Sequence, residues 1–232
     1  MINISGFEKS SLLDYPGKIA AVIFTHACNL RCPYCHNPEL VLEPFDKNRS
    51  FTEEYVLDFL KKRVGKLDGV VITGGEPLIQ VGLEDFITKI KELGFLVKLD
   101  TNGMSPNKLQ KILDLVIVDC IAMDVKYPKE GYGTFLGVED VNKKIQKSIE
   151  IIMNSGLEYE FRTTYVKGMH TIDSVKGILE MISGASNYYI QNFRSGKSID
   201  PELSPQNSFT DEELKEFEVL AKKYVDFVAI RN

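Results

Sequence analysis

The feature that most constrains how this chain can fold is a repeated alternation of short β-rich runs with amphipathic helical stretches. Ile19-Ala-Ala-Val-Ile-Phe-Thr25 reads as a buried strand, Gly69–Thr73 as a second and Phe95–Asp100 as a third. Between the first two, Ser50-Phe-Thr-Glu53 resembles a capping box and places Val56, Phe59 and Leu60 on one helical face. A helix over Leu83–Leu93 has its natural stop at Gly94. The alternation continues with a short helix near Pro106–Leu113, a β-rich run over Leu115–Val125 that breaks before Ile121, and a helix marked by Ile145, Ile149 and Ile152. A strand over Glu158–Thr164, a helix over Ile172–Ile182 and a strand over Tyr188–Phe193 follow, and Thr210-Asp-Glu-Glu213 opens a last helix with Leu214, Phe217 and Leu220 facing the core. Repeats of this kind predict an α/β fold with a parallel sheet, either open and doubly wound or a partial barrel, in preference to a sandwich or bundle. In both cases function gathers at the carboxyl ends of the strands.

A length of 232 residues suits one compact domain, and 44% hydrophobic residues supply a real core. No apolar run approaches the roughly 20 residues needed to cross a bilayer, and Met1–Ser10 lacks the pattern of a secretory signal. A cytoplasmic protein without a membrane partner is therefore expected. The formal charge of -5 argues against a nonspecific nucleic-acid surface. Asp46–Arg49 and Ser195–Asn207 read as loops, and the glycine-bearing stretch Pro128–Asp140 as a mobile cover or a plain surface excursion.

Three of the four cysteines crowd into Cys28-Asn-Leu-Arg-Cys32-Pro-Tyr-Cys35, directly after the first strand, and Cys120 stands alone in an apolar run. Three thiolates at this spacing can wrap three corners of a cubane cluster and leave one iron open to a non-protein ligand. A zinc site with help from His26 or His36, and a redox Cys-x2-Cys pair, remain alternatives. The first is awkward because His36 follows Cys35 immediately, and the second leaves Cys28 without a role. Cys120 is expected to be a small buried side chain. His26, His36 and His170 carry either hydrogen-bonding or tuning roles that the sequence leaves open.

Other residues are chemically suggestive by position. Gly74-Gly75 follows a strand and permits close backbone approach, but lacks the longer pattern of a phosphate loop. Asp100 and Asp124 end two different strands, where they act as convergent carboxylates or as loop caps and ion pairs. Lys126 and Arg162 offer cations, the second with a two-pronged geometry. Tyr34 offers an aromatic face for stacking or for packing of its own loop.

Taken together, the C-x3-C-x2-C segment, Asp14-Tyr-Pro-Gly17, Cys35-His-Asn-Pro38, Gly74-Gly-Glu-Pro77, Leu99-Asp-Thr-Asn-Gly103, Met123-Asp-Val-Lys126 and Phe161-Arg-Thr-Thr164 resemble the radical S-adenosylmethionine (AdoMet) superfamily. Within it the chain resembles glycyl-radical-enzyme activases, in particular those of anaerobic ribonucleoside-triphosphate reductase, over nearly its whole length through Gln191-Asn-Phe-Arg194. The resemblance implies a single domain over residues 1–232 with a partial (βα)6 TIM-like barrel, a cluster-binding loop at 26–37 and a helical and strand extension after about residue 208.

It further implies that Cys28, Cys32 and Cys35 bind a [4Fe–4S] cluster whose unique iron takes the methionine end of AdoMet. Tyr34 would approach the adenine, Gly74, Gly75 and Glu76 the methionine amino group, and Lys126 and Arg162 the methionine carboxylate. Asp100, Thr101 and Asp124 would hold a monovalent cation, Na+ or K+. Gln191 and Asn192 stand where some relatives have histidine, and receive no assignment. The implied partners are a glycyl-radical enzyme and a flavodoxin- or ferredoxin-like electron donor. A radical AdoMet enzyme acting on a small molecule or on another glycyl-radical enzyme, and a non-catalytic zinc or iron–sulfur interaction module, are the competing readings. The turn at Asp14–Gly17 is read either as lying at the opening that admits the partner's loop or as a plain structural turn.

Overall fold

The computed structural model describes residues 1–138 and 140–231. Their contacts divide the chain into two compact units, the first made of Met1–Asn29, Glu39–Thr101 and Asn107–Ile121, the second of Leu30–Pro38, Asn102–Pro106 and Ala122 onward. In chain order the first carries strand β1 (Ile4–Ser11), strand β2 (Ala20–Thr25), helix α1 (Pro38–Leu42), helix α2 (Glu53–Lys61), strand β3 (Gly69–Gly74), helix α3 (Leu83–Glu92), strand β4 (Leu96–Thr101), helix α4 (Pro106–Asp114) and the start of strand β5 (Cys120–Asp124). Its strand order is β1-β2-β3-β4-β5, with β1 antiparallel to β2 and β2, β3 and β4 parallel.

Strand β1 is absent from the sequence reading because Ile4 and Phe7 are its only large apolar residues, so it has no clear two-residue alternation. Helix α2 begins later than the Ser50 capping box predicts. Its N-cap is Thr52, whose hydroxyl accepts from the Tyr55 amide, while Ser50 Oγ donates back to the Lys47 carbonyl. The long β-rich run is also corrected. Leu115 and Val116 are exposed, Val116 has a φ of 53°, and the strand starts only at Cys120.

The first unit's sheet buries Tyr15, Ala20, Val22, Val71 and Cys120, with Phe24 and Leu96 packed against them. Tyr15 lies over Gly69, the first residue of β3, where a Cβ would stand 3.1 Å from its ring. The Asp14–Gly17 turn is therefore an apolar plug at the amino ends of β2 and β3. The cysteine loop leaves from the opposite end of β2, about 20 Å away at 3.3 Å per residue.

The second unit holds the end of β5, helix α5 (Tyr132–Leu136), helix α6 (Val141–Met153), strand β6 (Glu158–Tyr165), helix α7 (Ile172–Met181), strand β7 (Asn187–Asn192), helix α8 (Asp211–Ala221) and strand β8 (Phe227–Arg231). Its order is β5-β6-β7-β8, and β6, β7 and β8 run parallel. Thr171 and Thr210 close reciprocal capping boxes on α7 and α8, satisfying amide groups that a helix start otherwise leaves bare. Buried Phe161, Tyr165, Tyr188, Ile178, Leu214 and Phe217 pack this sheet against its helices. Tyr165 and Tyr188 pair their hydroxyls at 2.8 Å, which lets two large polar rings sit in the core at little cost. Among the described residues, no helix is long and apolar enough to cross a membrane.

Candidate functional site

The first unit builds its share of the site from backbone. After β2, Ala27 turns the chain through a left-handed conformation, φ 69°, immediately before Cys28. Its amide donates to the Leu40 carbonyl at 2.8 Å, and its carbonyl accepts from the Glu76 amide at 2.9 Å. The Gly75 amide donates to the Thr25 carbonyl at 2.9 Å. A Cβ on Gly75 would stand 1.9 Å from the Ala27 oxygen, and one on Gly74, at φ 111°, 2.4 Å from the Thr25 amide. These two glycines are thus required by the entry to the cysteine loop itself, which lies flush against the β3 turn.

Glu76 is buried beside them. Its Oε1 accepts from the Leu78 amide at 3.1 Å and from Thr101 Oγ1 at 2.8 Å, so the turn after β3 is tied to the end of β4. Next to Thr101, Asp100 Oδ1 lies 2.6 Å from the ammonium of Lys98, a lysine with no exposed side-chain surface. His26 Nε2 donates to the Glu43 carbonyl at 3.0 Å, which makes Nδ1 the acceptor of the Ser5 hydroxyl at 2.9 Å. That ring is a strut fixing the loop's entry.

The second unit builds its share from charge. Asp124, the last residue of β5, accepts from Arg162 Nε at 2.9 Å and from Lys126 Nζ at 3.2 Å. Burial alone would raise its pKa, but Arg162 and then Lys126 outweigh it and hold the carboxyl well below the usual range. Burial likewise works against the Lys126 ammonium, and Asp124 again outweighs it, raising its pKa. Arg162 continues to Glu160 at 3.6 Å, and Arg231 of β8 grips Glu160 with two nitrogens at 3.1 and 3.0 Å while stacking 3.6 Å above Tyr189. A single ladder of alternating charge thus runs from β5 to β8.

Cys32, Tyr34 and Cys35 stand in this second unit. Burial pushes the Cys32 thiol up while Lys126 pulls it down, and the Cys35 amide donates to the Cys32 carbonyl at 3.0 Å. Tyr34 is buried, with its ring 6.1 Å from Phe135 and 6.4 Å from His170. Its hydroxyl is also buried and meets no hydrogen-bond partner among the described residues. The stretch after β5 is docked rather than free: the Tyr132 hydroxyl accepts from the Lys126 amide at 3.0 Å, and Phe135 stacks on Tyr127 at 4.4 Å.

Sequence reasoning left His170, Gln191 and Asn192 open. His170 Nδ1 accepts from the Val166 amide, which fixes the tautomer whose Nε2 donates to the Lys126 carbonyl at 2.9 Å. Asn192 uses both amide atoms on the Phe209 backbone, at 2.8 and 3.0 Å, and is a brace. Gln191 receives the Thr164 hydroxyl at 3.4 Å. His36 stacks on Phe193 at 5.6 Å. The roles of Glu160 and Arg231 were missed because an ion pair 71 residues apart leaves no mark on local spacing.

Comparison with known proteins then decides the family. The sequence profile of the Radical SAM superfamily matches residues 22–182. The chain belongs to the Radical SAM superfamily. It is 35% identical over 99% of its length to a Methanocaldococcus jannaschii protein whose name assigns it provisionally as a glycyl-radical enzyme activating enzyme, covering 95% of that protein. It is 32% identical to a GTP 3′,8-cyclase of Helicobacter pylori over 73% of this chain, and there it spans about half, 52%, of the relative's length. Among solved structures, Streptococcus suis SuiB bound to S-adenosylmethionine superposes with a TM-score of 0.70 at 14% identity, over 91% of this chain and 50% of that one.

This radical SAM protein accordingly has the mixed α/β fold with the partial parallel sheet of the (βα)6-like barrel, as the family resemblance implies. Family membership implies binding of AdoMet and an iron–sulfur cluster in general. Among the described residues no three His, Cys, Asp or Glu side chains are gathered to hold a metal ion, and none of the four cysteines is in a disulfide. The chain's donor chemistry fits the two groups: three thiols are available in one loop, and an unpartnered tyrosine hydroxyl is buried beside it.

Proposed function

We propose that this protein is a glycyl-radical-enzyme activase, and that its partner is an anaerobic ribonucleoside-triphosphate reductase. The observation that carries the reading is the relationship along 99% of the chain to a protein named for that class. In this reading Cys28, Cys32 and Cys35 hold a [4Fe–4S] cluster with one iron left for the methionine end of AdoMet. The reduced cluster, when bound, supplies the electron that breaks the sulfur–C5′ bond and yields methionine and a 5′-deoxyadenosyl radical.

The chain's own residues orient the cofactor and place charge. Along the ladder Lys126, Arg162 and Arg231 face Asp124 and Glu160, three cations to two carboxylates, so a net positive charge remains for the methionine carboxylate. Gly74 and Gly75 present backbone at the end of β3 with no side chain in the way, and Glu76 holds that turn to Thr101. Tyr34 offers its ring face to the adenine and its buried hydroxyl to a polar atom of the nucleoside. The hydrogen atom to be removed would be that of a glycine Cα of the partner, which would store the radical. A flavodoxin- or ferredoxin-like protein in the cytoplasm is the proposed electron donor.

The test is anaerobic reconstitution with iron and sulfide, reduction, and measurement of 5′-deoxyadenosine, followed by electron paramagnetic resonance with the candidate reductase. Cofactor cleavage and a glycyl doublet in the partner are expected. A well-formed, reduced cluster that makes no 5′-deoxyadenosine rejects the enzymatic reading, and cleavage without a glycyl signal rejects the tested partner. The cyclase similarity favours a second reading, a small-molecule substrate, which conversion of GTP in the same assay without any partner would establish.

A further inference from the structure

Lys98 is the first of two charged residues in β4 and the odd residue of that strand. Side chains of a strand alternate between its faces, so Lys98 and Asp100 share the side of Leu96, which packs on the Tyr15, Val22, Val71 and Cys120 core. A lysine with no exposed surface on the core side of a strand carries a heavy desolvation penalty unless its charge is compensated. Asp100 compensates it at 2.6 Å.

The resemblance assigns Asp100, Thr101 and Asp124 to a dissolved Na+ or K+. Their donor chemistry in this chain does not fit one. A bound monovalent cation is repelled by a fixed positive charge beside it, and Asp100 already faces an ammonium at 2.6 Å. Within the other unit, Asp124 is held by Arg162 and Lys126 together. An alkali ion placed on Asp100 would have to evict an ammonium that is buried and tethered to the same strand, or sit against it and be repelled.

We propose that Lys98 is a tethered cation: its ammonium supplies to Asp100 the positive charge otherwise taken from solution, and the protein has no requirement for Na+ or K+. The electrostatics at the end of β4 are thereby set by the chain and do not vary with the ions around it. A point charge on a flexible stem suits this task better than a guanidinium, because it presents a compact ammonium at one carboxylate oxygen. The inference rests on the AdoMet-cleavage reading for its activity measurement only, since ion binding is read on the protein alone.

Thallium-205 resonance of Tl+ titrated into the protein without cluster or AdoMet reads the site directly. Wild type is expected to show no saturable Tl+ binding, and Lys98→Gln, which removes the ammonium and keeps Asp100, is expected to gain it. A saturable Tl+ site in wild type that Asp100→Asn abolishes overturns the proposal. In the reconstituted enzyme, AdoMet cleavage by wild type should agree within about twofold between choline chloride and potassium chloride at equal ionic strength, while Lys98→Gln should lose about tenfold in choline and recover in potassium. A potassium or sodium requirement in wild type, or a Lys98→Gln enzyme equally active in both salts, overturns it as well. Should Lys98→Gln not fold, the wild-type salt comparison and Tl+ titration still decide. Absence of cleavage in every salt sinks the functional reading and leaves the Tl+ result to judge Lys98.

Discussion

The site-bearing parts of the two units are made of different material. In the first, Gly74 and Gly75 press against Thr25 and Ala27 so closely that no Cβ fits, and the geometry is fixed by backbone. In the second, Asp124, Lys126, Arg162, Glu160 and Arg231 form a ladder of paired charges, and geometry is fixed by side chains that could individually be exchanged. The first kind of construction is intolerant of added atoms and indifferent to salt. The second tolerates shape changes and responds to loss of charge.

Substitutions can break or sharpen that contrast. The largest effect is expected at the proposed cluster ligands: Cys32→Ser should reduce bound iron after anaerobic reconstitution, and 5′-deoxyadenosine should fall to background. Gly75→Ala comes next. Overpacking against the Ala27 carbonyl should cost about 1–3 kcal/mol of stability in a denaturant titration. By displacing the loop that enters at Cys28, it should also slow cofactor cleavage by about 10²-fold. Gly156→Ala is its control. Gly156 has a φ of 72° but nothing within 4 Å of a new Cβ, so it should lose about 1 kcal/mol and leave cleavage per folded protein intact. If both glycine variants behave alike, the first unit's close packing is not what organises the loop.

The charge ladder should give smaller and graded effects. Arg162→Gln removes the hydrogen bond to Asp124 and, with it, the proposed charged contact to the methionine carboxylate, worth about 1.5–3 kcal/mol, so calorimetry should show AdoMet binding weaker by about tenfold or more. Arg231→Gln removes the two-nitrogen grip on Glu160 while the Arg162–Glu160 pair stays, and should weaken AdoMet by only about twofold to fivefold. Equal losses from the two would show that the ladder acts as one unit.

The smallest effect concerns pH. Burial lowers the His170 pKa from 6.5, so the folded protein binds fewer protons there than the unfolded chain. Its contribution to stability is complete above about 6.5 and is lost as pH falls through the lowered folded value. His170→Gln should flatten that part of the stability curve in a denaturant series, and an unchanged slope would show that another group carries it.

Much of the first kind of construction was legible in the sequence. A strand that ends in Gly-Gly, or a strand followed at once by clustered cysteines, announces close backbone approach because glycine and thiolate are needed for local reasons. The αL turn at Ala27 was not legible, since only the hydrogen bonds to Leu40 and Glu76 stabilise an alanine there. Ser50 was a false signal: the capping-box pattern fits there, but Thr52 two residues later is the N-cap, accepting from the Tyr55 amide without the reciprocal half of a box. The second kind was legible only as single charged residues. Asp124, Lys126 and Arg162 stood out by motif, whereas Glu160 and Arg231 had nothing local to distinguish them from surface charges.

The turn at Asp14–Gly17 makes the same point from the other direction. One of its two readings placed it at the opening that receives a partner, yet Tyr15 packs over Gly69 at the amino ends of the strands. The turn precedes the strand read over Ile19–Thr25 and the cysteines follow it, so chain order already sets the two at opposite ends of that strand, and β1 returning antiparallel to β2 agrees.

By itself the sequence determined the βα alternation, the cysteine loop and the order of the motifs, because hydrophobic period, turn chemistry and ligand spacing are properties of neighbouring residues. Tertiary structure alone decided which charges meet. Lys98 could have been read as an exposed lysine of a β-run, and only its burial against Asp100 makes it a fixed source of positive charge. Burial removes the water that would otherwise screen the pair, and that is a property of the folded surroundings rather than of any residue type.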